Sequence, residues 1–207
     1  GFSMPPKLNL AGIAGCAAWR GWVYRALTHP KALLANVAHK IPEGSSQSTS
    51  LMDYIANQFD SAVTWKDLEW MVSEWGGPFA IKGILSPADA RKAVDSGVSA
   101  IMVSNHGGRQ LDGTLSAFEA LGPILDEVGG ECEVICDGGI RRGTHVLKAL
   151  ARGATACSMG RPYLYGLAAA GQPGVTRVLD LMRAEIERGM GLIGCRNISE
   201  ISARHIT

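Results

Sequence analysis

The amino-acid sequence predicts an α/β protein built around a parallel β-sheet, and three observations carry this prediction. From Thr64 onward, short apolar runs alternate with capped helical segments, which is the pattern of βαβ units. Each apolar run ends in a polar or glycine-rich cluster. Hydrophobic residues make up 46% of the 207 residues and charged residues 19%, a composition typical of a globular protein with a buried core.

The boundaries of the helices and strands follow from local signals. Thr64-Trp65-Lys66-Asp67 resembles a capping box, so the first helix begins there and ends at Gly76. Ser86 and Pro87 open a second helix, which Gly97 ends. Two more helices are predicted over 116–128 and 144–152. The predicted strands, the first of them buried, are 79–83, 100–104, 133–136 and 154–159.

Residues 1–63 lack this regularity, and we predict that they form an irregular loop and helix segment preceding a unit at 64–207. The serine-rich stretch 43–50 predicts a loop. No run in the chain approaches the roughly 20 apolar residues that a membrane-spanning helix needs.

A basic segment with tryptophans lies near the start of the chain. Arg20 and Arg25 interleave there with Trp19 and Trp22. A helix of this composition can lie on an anionic membrane surface, or it can pack on a core as an ordinary amphipathic helix. We favour the second interpretation and keep the first as an alternative.

Net charge and cysteine content restrict the partners and the compartment. Twenty Lys and Arg against nineteen Asp and Glu give a net charge of +1, so we expect no nucleic-acid partner, and any anion site must be local. Cys132 and Cys136 would lie roughly 13 Å apart along a strand, so we expect no metal site. Five cysteines without a close-spaced framework predict a reducing compartment. We therefore expect a cytoplasmic protein, with the inner membrane surface as the alternative.

The polar clusters occupy the same position in successive βα units. In a parallel barrel the carboxyl ends of the strands form one face, and active sites lie on that face. The sequence therefore predicts a (β/α)8 TIM-barrel type of fold, with only about the last four βα units present. The clusters are Lys82-Gly83, 104–109, 137–143 and 160–162.

Two of these clusters predict a phosphate site. Glycines in 137–139 and at Gly160 let backbone N–H groups approach an anion, and Arg141 and Arg161 supply charge and paired donors. Barrel phosphate sites frequently lie in the loops after the last two strands. Tight turns would explain the glycines of either cluster alone, but phosphate binding explains the two clusters together better.

The segment from Ser104 to Asp112 carries the strongest chemical signal. His106 has the side chain most often used for proton abstraction near neutral pH, and Arg109 is placed to bind a carboxylate. A lone loop histidine is more often structural, but Gly107 and Gly108 leave room for a ligand. The pairing of a base with a guanidinium favours an enzyme over a non-catalytic phosphate-binding half-barrel.

These segments resemble the FMN-dependent α-hydroxy acid dehydrogenases and oxidases, which include glycolate oxidase and the lactate and mandelate dehydrogenases. The resemblance runs from about Thr64 to the end of the chain and includes 104–112, 136–143 and 159–162. It implies oxidation of an L-2-hydroxy acid, lactate-like, to the 2-oxo acid. The electron acceptor, which is oxygen, a quinone or a cytochrome in the family, stays open. Residues 26–30 are most similar to the membrane-associated L-lactate dehydrogenase branch.

The resemblance also implies a role for each candidate site residue. His106 would be the catalytic base, Arg109 would bind the substrate carboxylate, and Lys82 would place a cation beside the flavin. The residues implied to contact FMN are Lys82, Ser104, Asp137, Gly138, Gly139, Ile140, Arg141, Gly160 and Arg161. We also expect a homo-oligomer.

The chain departs from the family in length. A complete barrel has eight βα units and about 250 residues, whereas four units are visible here. The family's other half supplies a tyrosine, a second arginine and a carboxylate that orients the histidine. We therefore expect this chain alone to be inactive or nearly so. The alternatives are a non-catalytic phosphate- or FMN-binding half-barrel and another FMN barrel enzyme.

Overall fold

A computed structural model of the chain describes residues 20–28 and 58–206. The chain divides into two units, Gly1–Val63 and Thr64–Thr207. Within the described ranges, no helix is both long enough and apolar enough to cross a membrane.

The first unit contributes one described helix, α1 (Arg20–Thr28), within the basic segment with tryptophans. Tyr24 and Leu27 on this helix are exposed, at 69% and 80%. The predicted loop at 43–50 lies outside the described residues.

The second unit is an α/β structure with one parallel sheet, as predicted. Its strands are ordered β1-β2-β3-β4 along the sheet, as they are along the chain. Ile101 of β2 is in register with Ile81 of β1 and with Val134 of β3. Each parallel step is made by a crossover through a helix, which is the connection of successive βα units. The strands are β1 (Ala80–Ile84), β2 (Ala100–Val103), β3 (Glu133–Asp137) and β4 (Ala156–Ser158).

The described part of this unit contains five helices. They are α2 (Trp65–Trp75), α3 (Pro87–Asp95), α4 (Ala117–Val128), α5 (Gly143–Arg152) and α6 (Arg161–Leu192). Short 3-10 turns occur at His106–Gly108, Ile198–Glu200 and Ala203–His205.

The predicted helix starts are confirmed by their caps. The Asp67 carboxylate accepts hydrogen bonds from both the backbone N–H and the hydroxyl of Thr64, each at 2.7 Å. Gly76 ends α2 in the left-handed conformation with φ 63°. The Ser86 hydroxyl accepts from the Asp89 N–H at 3.1 Å, which fixes the start of α3. Such side-chain caps satisfy backbone donors that have no partner within the helix.

The hydrophobic core lies between one face of the sheet and helices α2 to α5. Ile101 and Val134 from the strands and Leu121 and Ile124 from α4 are at most 1% exposed. Burying a side chain of this size contributes about 1.5–3 kcal/mol. A smaller cluster joins α5 to the C-terminal turns through Leu147, Ala151, Cys195 and Ile201.

Two expectations for the strands were wrong in detail. The first strand was predicted to be buried, but Ala80, Lys82 and Gly83 are exposed. It is an edge strand, so it has a neighbour on one side only in the described sheet. The fourth strand is shorter than 154–159, because the Ala154 N–H instead closes the turn after α5 on a carbonyl of that helix.

Helix α6 was not anticipated from the sequence. It contains a kink at Ala170 and Gly171, where φ is −150° and 64°. A Cβ placed on Gly166 would lie 2.6 Å from the carbonyl oxygen of Gly174. Eight residues span about 12 Å in a straight helix, so this approach shows that the chain bends back at the kink.

Gly143, the first residue of α5, leaves no room for a side chain. A Cβ there would lie 2.5 Å from the backbone nitrogen of Ile186 and 2.6 Å from Cβ of Glu185. We therefore expect Gly143→Ala to lower the free energy of unfolding by about 1–3 kcal/mol, the usual cost of overpacking, as measured by urea unfolding.

The matched control is Gly191→Ala in α6, where an added Cβ meets no atom within 4 Å. Because alanine favours helix more than glycine does, this variant should be as stable as the original chain, or more stable by up to about 1 kcal/mol. Equal destabilisation by the two substitutions would contradict the close packing of α5 on α6.

Candidate active site

The carboxyl ends of the four strands meet around one cavity of about 270 Å³. Ten of the eleven predicted site residues line this cavity, and only Ser104 does not. The ten are Lys82, His106, Arg109, Asp137, Gly138, Gly139, Ile140, Arg141, Gly160 and Arg161. The expected convergence of the polar clusters on a single rim is therefore present in the structure.

His106 is held in an unusual backbone conformation after β2. Its φ is 56°, and among the described non-glycine residues no other has a positive φ. Gly107 and Gly108 continue the left-handed path with φ 69° and 74°, and the Asn105 side chain accepts from the Gly108 N–H at 3.2 Å. Backbone outliers of this kind concentrate at functional sites, so the geometry supports a functional role for His106.

The Asp137 carboxylate connects residues of all four βα units. Its Oδ2 accepts hydrogen bonds from the Lys82 ammonium, in the middle of β1, and from the Ser104 hydroxyl, just after β2, the latter at 2.6 Å. Ser158 of β4 also hydrogen-bonds to it. Burial raises the pKa of Asp137, but these three hydrogen bonds and the charge of Lys82 outweigh burial and hold the pKa below its ordinary value. Asp137 is therefore an anion at neutral pH.

Ser104 lies beneath this carboxylate rather than in the cavity wall. It is 2% exposed, and its hydroxyl also accepts from the His106 N–H at 3.0 Å. The flavin contact implied for Ser104 by the family resemblance stays a prediction.

The residues after β3 and β4 form a cationic, glycine-lined cradle. Gly138 and Gly139 have φ 148° and 72°, and a Cβ on Gly139 or Gly160 would meet no protein atom within 4 Å. Arg161 begins α6, and its Nη2 lies 3.3 Å from where a Cβ of Gly107 would stand. Open backbone, a helix N-terminus and guanidinium groups together suit a phosphate. The residues present thus fit the phosphate end of a flavin mononucleotide.

Comparison with known proteins decides the family. Residues 1–207 match the family model of the FMN-dependent dehydrogenases. The chain belongs to this family of FMN-dependent α-hydroxy acid dehydrogenases and oxidases. The family's cofactor is FMN.

Solved structures of the family resemble the chain over different lengths. A mandelate oxidase with benzoyl-formic acid is 50% identical with a TM-score of 0.65, covering 67% of this chain and 42% of its own. A mandelate oxidase variant with the monooxide FMN adduct is 49% identical with a TM-score of 0.66, covering 69% and 46%. The monotopic membrane protein (S)-mandelate dehydrogenase is 33% identical with a TM-score of 0.89, covering 99% and 54%. The chain thus spans about half the length of these relatives.

Two cavity residues at the start of α6 were not anticipated from the sequence. Tyr163 and Leu164, in the first turn of α6, line the same cavity as His106. Pro162 beside them is the available signal, because proline is favoured at the first positions of a helix.

His145 is a further missed residue that shapes the cradle. Its Nδ1 lies 3.2 Å from the backbone nitrogen of Arg141 and 2.9 Å from the carbonyl oxygen of Gly139. In either tautomer, His145 therefore forms one hydrogen bond that links the loop of Gly139 and Arg141 to α5. His145 and Lys148 also line an adjoining cavity of about 440 Å³, which shares part of its wall with the first.

The described cysteines do not contribute a nucleophile to the site. Cys132, Cys136, Cys157 and Cys195 are free thiols. Burial raises the pKa of Cys136 to about 11 and that of Cys157 to about 12. These two thiols are therefore protonated at neutral pH and poorly reactive. Among residues 20–28 and 58–206, no group of three His, Cys, Asp or Glu side chains is placed to bind a metal.

Proposed function

We propose that this chain provides the flavin-phosphate site and the catalytic base of an enzyme that oxidises an L-2-hydroxy acid to the 2-oxo acid. The observation that carries the proposal is that His106, Arg109 and the cationic cradle open on one cavity. A non-catalytic FMN-binding half-barrel would require only the cradle.

The residues divide into those for cofactor and those for substrate. Arg141 and Arg161 would hold the FMN phosphate, together with the backbone of the glycines beside them. Lys82 would provide positive charge near the ring. When bound, FMN supplies the two-electron acceptor that the oxidation of an alcohol requires.

Arg109 and His106 would act on the substrate. The planar guanidinium of Arg109 suits a carboxylate, which it binds through two parallel hydrogen bonds. The imidazole of His106 would take a proton from the substrate and hold it as the imidazolium. Both residues line the same cavity, and the left-handed segment 106–108 leads from His106 to Arg109.

For the substrate, we keep a lactate-like acid as the first candidate and a mandelate-like acid as the second. The similarity of residues 26–30 to lactate dehydrogenases supports the first. Solved relatives that include a mandelate oxidase and an (S)-mandelate dehydrogenase support the second. Rates with L-lactate, L-mandelate and glycolate, measured side by side in a complete barrel that contains this sequence, discriminate between them.

We expect the 207-residue chain loaded with FMN to show little or no turnover by itself. The described sheet has four of the eight strands of a barrel, so one side of the substrate site lacks a wall. Anaerobic addition of each of the three acids should leave the visible flavin band unchanged. Dithionite should bleach it, as a control that the bound flavin is reducible. Rapid bleaching by any of the acids would contradict this expectation.

We also propose peripheral membrane contact through the basic segment around α1. Exposed Tyr24 and Leu27 on α1, Arg20 in the same helix and the monotopic membrane relative support it. The chain should cosediment with vesicles containing phosphatidylglycerol, and less so at high salt, because screening weakens attraction between exposed charges. Arg20→Glu should reduce the bound fraction. Equal sedimentation with neutral vesicles would contradict an electrostatic contact.

A further inference from the structure

We infer that Ser104 is a positioning residue whose hydroxyl couples the backbone of His106 to the Lys82–Asp137 ion pair. The inference deepens the proposed function and rests on it, because the importance of this coupling depends on His106 being the base.

The directions of the two hydrogen bonds of Ser104 are fixed by its single hydroxyl proton. A carboxylate can only accept, so the proton goes to Asp137 Oδ2 at 2.6 Å. A hydroxyl lone pair is then left to accept the His106 N–H at 3.0 Å. The negative charge of Asp137 thus orients the Ser104 hydroxyl, which accepts the hydrogen bond from the His106 N–H.

The His106 backbone needs such a restraint. Its φ of 56° lies in the left-handed region, which a residue with a side chain occupies at a cost in free energy. Asn105, before His106, accepts a hydrogen bond from the Gly108 N–H, after it, so this bond spans the turn without involving His106. The bond to Ser104 is the one that the His106 N–H itself makes, and it therefore opposes relaxation of this residue toward an ordinary conformation.

On its other side, the Ser104 hydroxyl is bonded to the ion pair of Lys82 and Asp137. Lys82 and Ser158 donate to Asp137, whose side chain is 15% exposed. Hydrogen bonds in a chain polarise one another, and the effect is larger where water is scarce. A change at Lys82 or Asp137 would therefore reach His106 through one buried hydroxyl. Ser104 does not line the cavity, and its hydroxyl is connected to the cavity residues Asp137 and His106 by these two hydrogen bonds.

The experiment uses the flavin-free 207-residue chain and NMR. Two quantities are measured: hydrogen exchange of the His106 amide, and the titration of the Asp137 carboxyl carbon. We expect Ser104→Ala to speed exchange of the His106 amide about two- to tenfold, the change corresponding to loss of one hydrogen bond, and to raise the Asp137 pKa. Ser104→Thr, which keeps the hydroxyl, should restore both toward their original values.

Ser158→Ala is the matched control. It removes another hydrogen-bond donor from Asp137 but none from His106, so it should raise the Asp137 pKa and leave exchange at His106 unchanged. Faster His106 exchange in both variants would show general loosening and overturn the inference. Unchanged exchange in Ser104→Ala would overturn it as well.

A second measurement needs no variant. In the original chain, the amide resonance of His106 should show a titration step at the midpoint of the Asp137 carboxyl. A constant resonance through that midpoint would overturn the coupling. Steps from other groups are separable by their midpoints. The titratable and charged groups that share the cavity with Asp137 are Lys82, His106, Arg109, Arg141, Arg161 and Tyr163.

These measurements are independent of the proposed function, because no flavin or substrate is present. Failure to bind FMN would leave the coupling standing, whereas absence of the coupling would leave flavin binding standing.

Discussion

Replacing His106 with alanine is expected to slow substrate-dependent flavin reduction by about 10²- to 10⁴-fold, the usual contribution of a general base, while FMN stays bound. The imidazole lines the cavity but is not part of the phosphate cradle. A suitable vehicle is a mandelate oxidase in which residues 64–207 of this chain replace the corresponding half. Anaerobic stopped-flow absorbance of the flavin band measures the rate, and the spectrum before mixing measures bound FMN.

His145→Ala is the control for removal of an imidazole. His145 stabilises the loop of Gly139 and Arg141 and does not line the cavity that His106 lines. This variant should weaken FMN binding more than it slows reduction of the flavin that remains bound. Near-normal reduction in His106→Ala, or an equal loss in both variants, would contradict the assignment of His106 as the base.

The second large effect is expected at the phosphate cradle. Arg161→Ala should weaken FMN binding by about 10- to 100-fold, since a hydrogen bond to a charged group contributes about 1.5–3 kcal/mol and 1.4 kcal/mol is a factor of ten. Riboflavin, which lacks the phosphate, should bind with unchanged affinity. Quenching of flavin fluorescence on titration with protein measures both affinities.

Arg177→Ala supplies the matched control on the same helix. Arg177 is exposed on α6 and is not among the residues that line the cavity. Its removal changes the net charge by the same amount and should leave both affinities unchanged. If Arg161→Ala weakened riboflavin as much as FMN, Arg161 would support the ring or the fold and not the phosphate.

The features that the sequence predicted well depend on neighbouring residues. The capping bonds at Thr64 and Ser86 are made within three residues, so their pattern is visible in the chain itself. The positions of the strand tips followed from the polar cluster after each apolar run. Since parallel strands end on one face, the shared rim followed as well.

The features that it missed depend on distant residues or on missing neighbours. An apolar run such as that of β1 does not reveal whether a second layer or strand covers it. In α6, Gly171 and Pro173 interrupt the helical pattern in the sequence, and the structure is kinked there, with Gly166 packed closely against Gly174 across the kink. Glycines that allow close packing look the same in sequence as glycines that end a helix.

The connections within the site were beyond sequence reasoning for the same reason. Lys82 and Asp137 are 55 residues apart, and Ser104 and Asp137 are 33 apart. The family resemblance implies that each of the three lies near the cofactor, but it does not imply contacts among them. Their hydrogen bonds to one another, and the bond from the His106 N–H to Ser104, form only in the folded chain.

The most direct test of the account is an amide-shift map of the isotope-labelled 207-residue chain titrated with FMN. We predict saturable changes at Gly138, Gly139, Gly160 and His106, which line the cavity at the carboxyl ends of the strands. Changes confined to residues on the opposite end of the sheet, or no saturable change at all, would contradict it.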